Sequence, residues 1–434
     1  MEHILARAKK WAEAAEAFQV TAEETQVRFE ANRLKQLQTR QQTSVALRLV
    51  KNGRTGYATT TDPGDGRELV KNAVETAQFG TKARFQLPGA MNYPETQVFD
   101  SNIESVATEA MVRLGEAMIE AITRHTPGIL CEAGISRGTV SVNLINSRGG
   151  RADYRKSFFD LGIEGTLIEG TDMLFVGEGE SSCHPITDTK KLTALVLNQL
   201  ELARNRARAP TKEMPVIFTP NGVAGTLMPS LAAAFNGKTV FEGASPIGNK
   251  MGQQVFDEKL SLTDDPTVAY RPASRPADDE GIPSQRTTLV ENGTVRNFLY
   301  DLQTAALAGK KSTGSASRAH GGLPAPSPSA FIITPGQTTF EEMVQDMKEG
   351  LVIEQLMGAE QGNILGGDFS GNVLLGYKVE SGKIVGRVKN SMVSGNVYQA
   401  LKDIAAIGSE ARWVGGFLQT PHIYIPKLSV ASKG

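Results

Sequence analysis

The residues best suited to chemistry are few and scattered. A thiolate beside an imidazole can act as a nucleophile, which singles out Cys183 and His184. They lie in a Gly/Ser-rich turn before Pro185, and the local sequence has no third group to orient the imidazole, so a structural turn is the expectation. The five histidines, His3, His125, His184, His320 and His422, fall in five separate segments, and no pair has a zinc-type spacing. Carboxylates cluster at Asp278, Asp279 and Glu280 between Pro276 and Pro283, a run that suits either a cation site or a solvated turn. Hydroxyls cluster in Thr313-Gly314-Ser315-Ala316-Ser317-Arg318, a loop able to lie along a bound peptide or to serve as a flexible connector. Asp279, Glu280, Ser315, Ser317 and Arg318 are therefore the candidate substrate-binding residues. Gly362 to Gly371 is glycine-rich but lacks a phosphate-loop lysine, which argues against nucleotide binding.

The elements that would position these groups follow from periodicity. Residues 3 to 17 read as an amphipathic helix, and Thr25 to Glu30 as a strand. Ser44 to Val50 and Thr55 to Thr61 alternate around Asn52-Gly53, the signature of a hairpin. Arg67 to Lys82, Ile103 to His125 and Thr189 to Arg208 read as helices, the last ending in Arg204, Arg206 and Arg208, which we take as a solvated basic face. Residues 129 to 177 supply short strands broken at Arg137-Gly138 and Gly149-Gly150. The prolines Pro210 and Pro215 flank charged residues and mark a boundary, giving an N-terminal α+β domain over 1–210 and a mostly β domain over 211–434. In the second domain one helix is expected from Gly222 to Phe235 despite Pro229, with hairpins at Asn292-Gly293 and Ser381-Gly382. Residues 308 to 329 read as an extended or mobile loop. The overall class is α+β.

Composition narrows the partners. Lys+Arg at 46 balance Asp+Glu at 47, so no global field favours nucleic acid or an anionic membrane. No apolar run reaches the ~20 residues of a membrane helix, and the start of the chain lacks the pattern of an export signal, so a cytoplasmic protein is expected. Two cysteines, Cys131 and Cys183, are too few for a disulfide framework.

Several segments together resemble the TldD/PmbA family, whose members are often labelled modulators of DNA gyrase and form TldD/TldE peptidase complexes. They are Asn52-Gly53-Arg54-Thr55-Gly56-Tyr57-Ala58, Asp278 to Arg286 with Leu289-Val290-Glu291-Asn292-Gly293, Gly376 to Ile384, Ser394-Gly395-Asn396 and Ile404 to Gly408. The resemblance implies, in the TldD branch, a zinc signature His-Glu-x-x-x-His on the helix after the first strand of the second domain, with a cysteine near the C-terminus. Carried onto this chain, the histidine positions are Met228 and Ala233 and the glutamate is Pro229, and Trp413 to Thr420 contains no cysteine. None supplies an imidazole, a thiolate or a carboxylate. Positions five residues apart lie roughly 140° apart on an ideal helix, so such a site needs a distortion that only metal binding would justify. Pro229, lacking a backbone donor, is expected to kink the helix. No catalytic residue and no metal ligand is thus expected here. The resemblance implies a metal-free PmbA/TldE-type subunit, zinc being held by a TldD-type partner in a heterodimer that acts on unfolded peptides. The alternative is a stand-alone or homodimeric binding or regulatory protein. A metal-independent hydrolase using Ser230 finds no supporting histidine or carboxylate in the motif.

Overall fold

The computed structural model describes residues 1–62, 64–318 and 322–433. Its first half is built on a six-stranded antiparallel sheet of order β3-β2-β1-β4-β5-β6. The strands are β1 (Ala14–Glu30), β2 (Arg33–Lys51), β3 (Arg54–Thr60), β4 (Leu130–Asn146), β5 (Arg151–Glu169) and β6 (Asp172–Ser182). One face carries α1 (Glu2–Ala8) and α2 (Arg67–Thr76), which bury Leu69, Val70 and Ala73 against Ala15, Ala17, Leu47 and Leu49. Further along the same face lie a short turn, α3 (Asn102–Ser105), and the long helices α4 (Thr108–His125) and α5 (Lys190–Leu202), over Val27, Phe29, Ile135 and Leu161, while the opposite face turns Phe18, Val142 and Leu144 towards Ala277 of the second half.

The second half is a twelve-stranded mixed sheet. It comprises β7 (Arg206–Ala207), β8 (Lys212–Phe218), β9 (Leu262–Asp264), β10 (Thr287–Glu291), β11 (Thr294–Val295), β14 (Phe331–Ile333), β15 (Glu349–Met357), β16 (Asp368–Glu380), β17 (Lys383–Val388), β18 (Ser391–Asn396), β19 (Ala406–Val414) and β20 (Leu418–Ser432), while β12 (Ala316–Ser317) and β13 (Ala325–Pro326) pair separately. Its central strands are apolar on both faces, as strands covered on both sides must be. Val216 and Phe218, Leu351 and Ile353, and Ile423 and Ile425 point into one core, whereas the intervening Ile217, Val352 and Tyr424 point into the core that holds α4 and α5. The two long helices are therefore shared between the two sheets, and the halves are joined by a continuous apolar layer rather than by a linker.

Local chemistry explains the turns. Asn52-Gly53, Asn292-Gly293 and Ser381-Gly382 all have positive φ at both central positions, the geometry a two-residue hairpin needs. Elsewhere tertiary pairing overrides local pattern. The helix expected over 3 to 17 stops at Ala8, and Ala14 to Ala17 instead enter β1, paired with β2 on one side and, from Glu16, with β4 on the other. Both flanking strands saturate the backbone of this alanine-rich stretch, which outweighs its helix propensity. Arg137-Gly138 does not break a strand but lies inside the 17-residue β4. The helix expected to reach Arg208 ends at Leu202, and Arg206 sits in a two-residue strand with its guanidinium 2.5 Å from Asp172. Ile103 to His125 is split at Val106 and Ala107, and the helix begun at Arg67 ends at Thr76.

The expected helix near Pro229 is composite. A turn at Pro220–Gly222 runs into a π-helical segment, Val223–Leu227, and then α6 (Met228–Ala234). Pro229 has no N–H to offer the carbonyl four residues earlier, and the widened turn absorbs that gap, so the helix continues without breaking. The expectation that only a metal would justify such a distortion is thereby corrected: the distortion is present with methionine at position 228. Thr219 caps the start through its hydroxyl. Gly222 lets it approach β15, because a Cβ there would lie 2.4 Å from the carbonyl oxygen of Ile353.

Candidate functional site

The composite helix, β6, β15 and β19 enclose a cleft of about 1070 Å³. Gly225, Thr226 and Pro229 form part of its wall. The opposite side is the open edge of β6, from Phe175 to Ser181. At Gly177 that edge is satisfied by the Gln199 side chain, which accepts from the Gly177 N–H at 2.9 Å and donates to the Gly177 carbonyl at 3.2 Å.

Three charged side chains organise the cleft. Glu178 on β6 receives both ends of the Arg412 guanidinium at 2.7 and 2.8 Å, and also accepts from Asn221 at 2.9 Å and Gln199 at 3.1 Å. Such a fork holds a carboxylate in one orientation. Glu354 on β15 accepts, among the described residues, only from the Thr219 hydroxyl, at 2.7 Å. Burial pushes its carboxyl up to about 7, the Glu178 charge adding and Arg412 opposing. It is thus a carboxyl poised to be neutral or charged near neutrality, in the cleft and beside the helix. The buried hydroxyl of Thr226 has no partner of its own among the described residues.

The positions the family motif would use are placed as follows. Met228 is buried in the apolar core. Pro229 lines the cleft. Ala233 lies a turn further along α6. A thioether facing a core, a pyrrolidine and a methyl do not fit a zinc ion, and among the described residues no three His, Cys, Asp or Glu side chains converge on a point where a metal could sit. Ser230 is buried, with no histidine beside it in the chain.

The remaining candidates separate. Cys183 is fully buried and burial pushes its thiol up to about 11, the opposite of an activated thiolate. His184 does find an orienting partner, Asp100 at 2.6 Å, and its ring packs on Tyr270 with centroids 3.8 Å apart. His125 pairs with Glu201 at 2.6 Å. His422 stacks on Phe340, and burial, with Arg412 nearby, pulls it down to about 4. His320 lies outside the described residues.

The acidic run is not a solvated turn. Asp278 and Glu280 are buried, because basic side chains from distant elements come to meet them. Arg48 on β2 bridges Glu280 at 2.5 Å and Glu16 on β1 at 3.1 Å, and Glu16 also pairs with Arg318. Arg275 pairs with Asp279 at 3.1 Å. Asp278 accepts from the backbone of Glu280, Ile282 and Ala316. Burial pushes the Glu280 and Asp278 carboxyls upward, against Arg48 and Arg275 respectively. Glu280, Glu16, Arg48 and Arg318 therefore form an ion network that ties the two halves together. The described residues of the stretch from 308 to 329 are held down with it rather than extended; residues 319–321 of that expected loop lie outside the described residues. Ser315 is buried, Ala316–Ser317 pairs with Ala325–Pro326, and the Arg318 N–H donates to Asp279 at 2.7 Å. Asp279, Ser317 and Arg318 come together on the wall of a second cavity, away from Pro229, while Glu280 and Ser315 do not line it.

Glu178, Glu354 and Arg412 were not legible as a group, since they come from three strands far apart in the chain. Glu354 alone carried a signal, a carboxylate interrupting the apolar run Leu351-Val352-Ile353.

Comparison with known proteins places this architecture. Residues 211–432 match the family model described as the PmbA/TldA metallopeptidase C-terminal domain, and residues 15–77 that of PmbA/TldA metallopeptidase domain 1. The chain belongs to the PmbA/TldA metallopeptidase family, the TldD/PmbA family that its motifs resemble. A metalloprotease PmbA homolog of Haemophilus influenzae is 27% identical over 399 residues, covering 87% of this chain and 83% of that one. An uncharacterized protein of Methanocaldococcus jannaschii is 27% identical over 410 residues, 93% of each. The crystal structure of TldE from Thermococcus kodakarensis has the same fold, with a TM-score of 0.87 at 22% identity over 100% of both chains. Among the described residues no helix is long and apolar enough to cross a membrane.

Proposed function

We propose that this chain is the metal-free, PmbA/TldE-type subunit of a two-chain zinc peptidase, acting in the cytosol with a metal-bearing TldD-type partner on unfolded peptides and small proteins. The observation that carries the reading is the composite helix beside the main cleft, where the residues at the positions the motif would use, Met228 in the core, Pro229 on the cleft wall and Ala233 further along, offer no ligand. What remains for the chain is binding. The open edge of β6 beside the cleft can take an extended segment as an added strand, a mode that needs no catalytic group. Gln199 already makes with Gly177 the pair of bonds such a strand would make. Beside this edge Glu354, whose one partner among the described residues is the Thr219 hydroxyl, favours a peptide that brings a donor or a cation.

The test is cleavage of an unfolded peptide by the purified chain alone, by a TldD-type partner alone, and by the two mixed. Cleavage that requires the mixture and is abolished by a chelator supports the reading. Cleavage by this chain alone overturns it.

A further inference from the structure

The second cavity, about 640 Å³, lies between the first sheet and the segments around Arg275 and Ser329. Its wall holds three basic side chains, Lys156, Arg275 and Arg318, against one carboxylate, Asp279. Asp279 is fully engaged, one oxygen accepting from Arg275 and the other from the backbone of Arg318. Arg318 is neutralised by Glu16. Arg275 pairs with that same Asp279, which leaves Lys156 as the cation short of an anion. Lys156 on β5 donates to a single acceptor, the carbonyl of Pro272, and makes no ion pair among the described residues. Arg275, 8% exposed, donates to Asp279 at 3.1 Å and to the Ser329 hydroxyl at 3.4 Å, and only its enclosed Nε lacks a partner. An ammonium withdrawn from water with donors to spare is costly unless an anion completes it. In keeping with that cost, burial, with the Arg275 charge adding, pulls the Lys156 ammonium down to about 8. Beside these donors the wall has an apolar patch, Phe18, Val20, Val140 and Val142, and a hydroxyl-bearing side with Ser44, Thr59, Thr60 and Thr61.

We infer that this cavity is a carboxylate-binding site, in which Lys156, beside the Arg275 guanidinium, holds the carboxylate of a ligand whose apolar body lies on Phe18 and Val140. A peptide ending in an apolar residue has this chemistry, as does a small free apolar acid. The peptide form of the ligand rests on the proposed function, but the carboxylate site does not. The cavity is distinct from the cleft at Pro229, so it would hold the end of a chain or a small effector rather than the segment to be cut.

The experiment is calorimetric titration of the full chain, without any partner, with N-acetyl-leucine, N-acetyl-leucinamide and inorganic phosphate. The free acid is expected to bind at least tenfold more tightly than the amide. Lys156→Met, which keeps the length of the side chain and removes a buried charge, is expected to fold and to lose at least tenfold in affinity, while Lys156→Arg stays within threefold of the parent. Equal binding of acid and amide, absence of binding by the acid, or an unchanged affinity in Lys156→Met would overturn the site. Phosphate displacing the acid at equal concentration would overturn the choice of a carboxylate with an apolar body. A peptide ending in free leucine that binds more tightly than N-acetyl-leucine identifies the peptide form, and equal affinity would overturn that form alone. Because no cleavage is measured, loss of this site leaves the proposed function standing, and the reverse also holds.

Discussion

Replacing Glu354 by glutamine should stabilise the protein at alkaline pH and leave it unchanged in acid. In the folded chain burial raises the carboxyl from its ordinary 4.5 to about 7. Each tenfold change in proton affinity corresponds to about 1.4 kcal/mol, so the charged form costs up to about 3 kcal/mol relative to the unfolded chain. The sign follows from proton binding. Between pH 4.5 and 7 the folded state holds the proton and the unfolded state has lost it, so stability falls as pH rises through that window. Glutamine has no charge to bury and keeps an oxygen for the Thr219 hydroxyl. Urea denaturation of the parent and Glu354→Gln chains at several pH values reads the difference directly. We expect coincident curves below pH 4.5, divergence through the window, and a gain approaching about 3 kcal/mol above pH 7. A constant offset at all pH values, or a loss of stability at pH 8, would refute the placement of Glu354 as a carboxyl strained by its surroundings. In the mixed complex the same variant tests whether the charge matters to peptide: a weaker KM for cationic peptides with little change for neutral ones is expected.

Three further outcomes follow from other parts of the fold. Arg48→Met should cost about 3–5 kcal/mol in denaturant titration, because it leaves Glu16 and Glu280 buried without their shared cation. Adding Glu280→Gln should recover part of that loss. His422, held neutral by burial, must take up a proton on unfolding, so stability present above pH 6.5 is lost as pH falls towards 4, by at most about 3 kcal/mol, and His422→Phe should flatten this slope by close to one proton. Gly222→Ala should destabilise by about 1–3 kcal/mol, as the new methyl meets the Ile353 carbonyl and the helix start must move off β15. A neutral result in a melting experiment would contradict that close approach.

What the sequence disclosed was local. The hairpins at Asn52-Gly53 and Asn292-Gly293 were legible because a positive φ at both positions is a property of two residues. The β-rich second half was legible from its turns and short apolar runs. The first strand was not, since Ala14-Ala15-Glu16-Ala17 favours a helix in isolation and becomes a strand only because β2 and β4 flank it. The acidic run at 278 to 280 was visible as a cluster but not as a buried one, because its counter-charges Arg48 and Arg275 arrive from other elements. The same holds for the cleft. Pro229 could be located from the spacing of the family motif, but Glu178, Glu354 and Arg412 converge only after three strands are placed side by side. Pro229 also showed where the rule for prolines gives way: a π-turn upstream accommodates the missing donor and the helix survives.

The central claim concerns the metal, and its most direct test is the zinc content of the purified full chain after dialysis, by elemental analysis. The account predicts well under one zinc per chain, with stoichiometric zinc appearing only when a TldD-type partner is bound. One tightly held zinc per isolated chain would contradict it, and would mean that Met228, Pro229 and Ala233 do not mark the place where this chain's metal chemistry is decided.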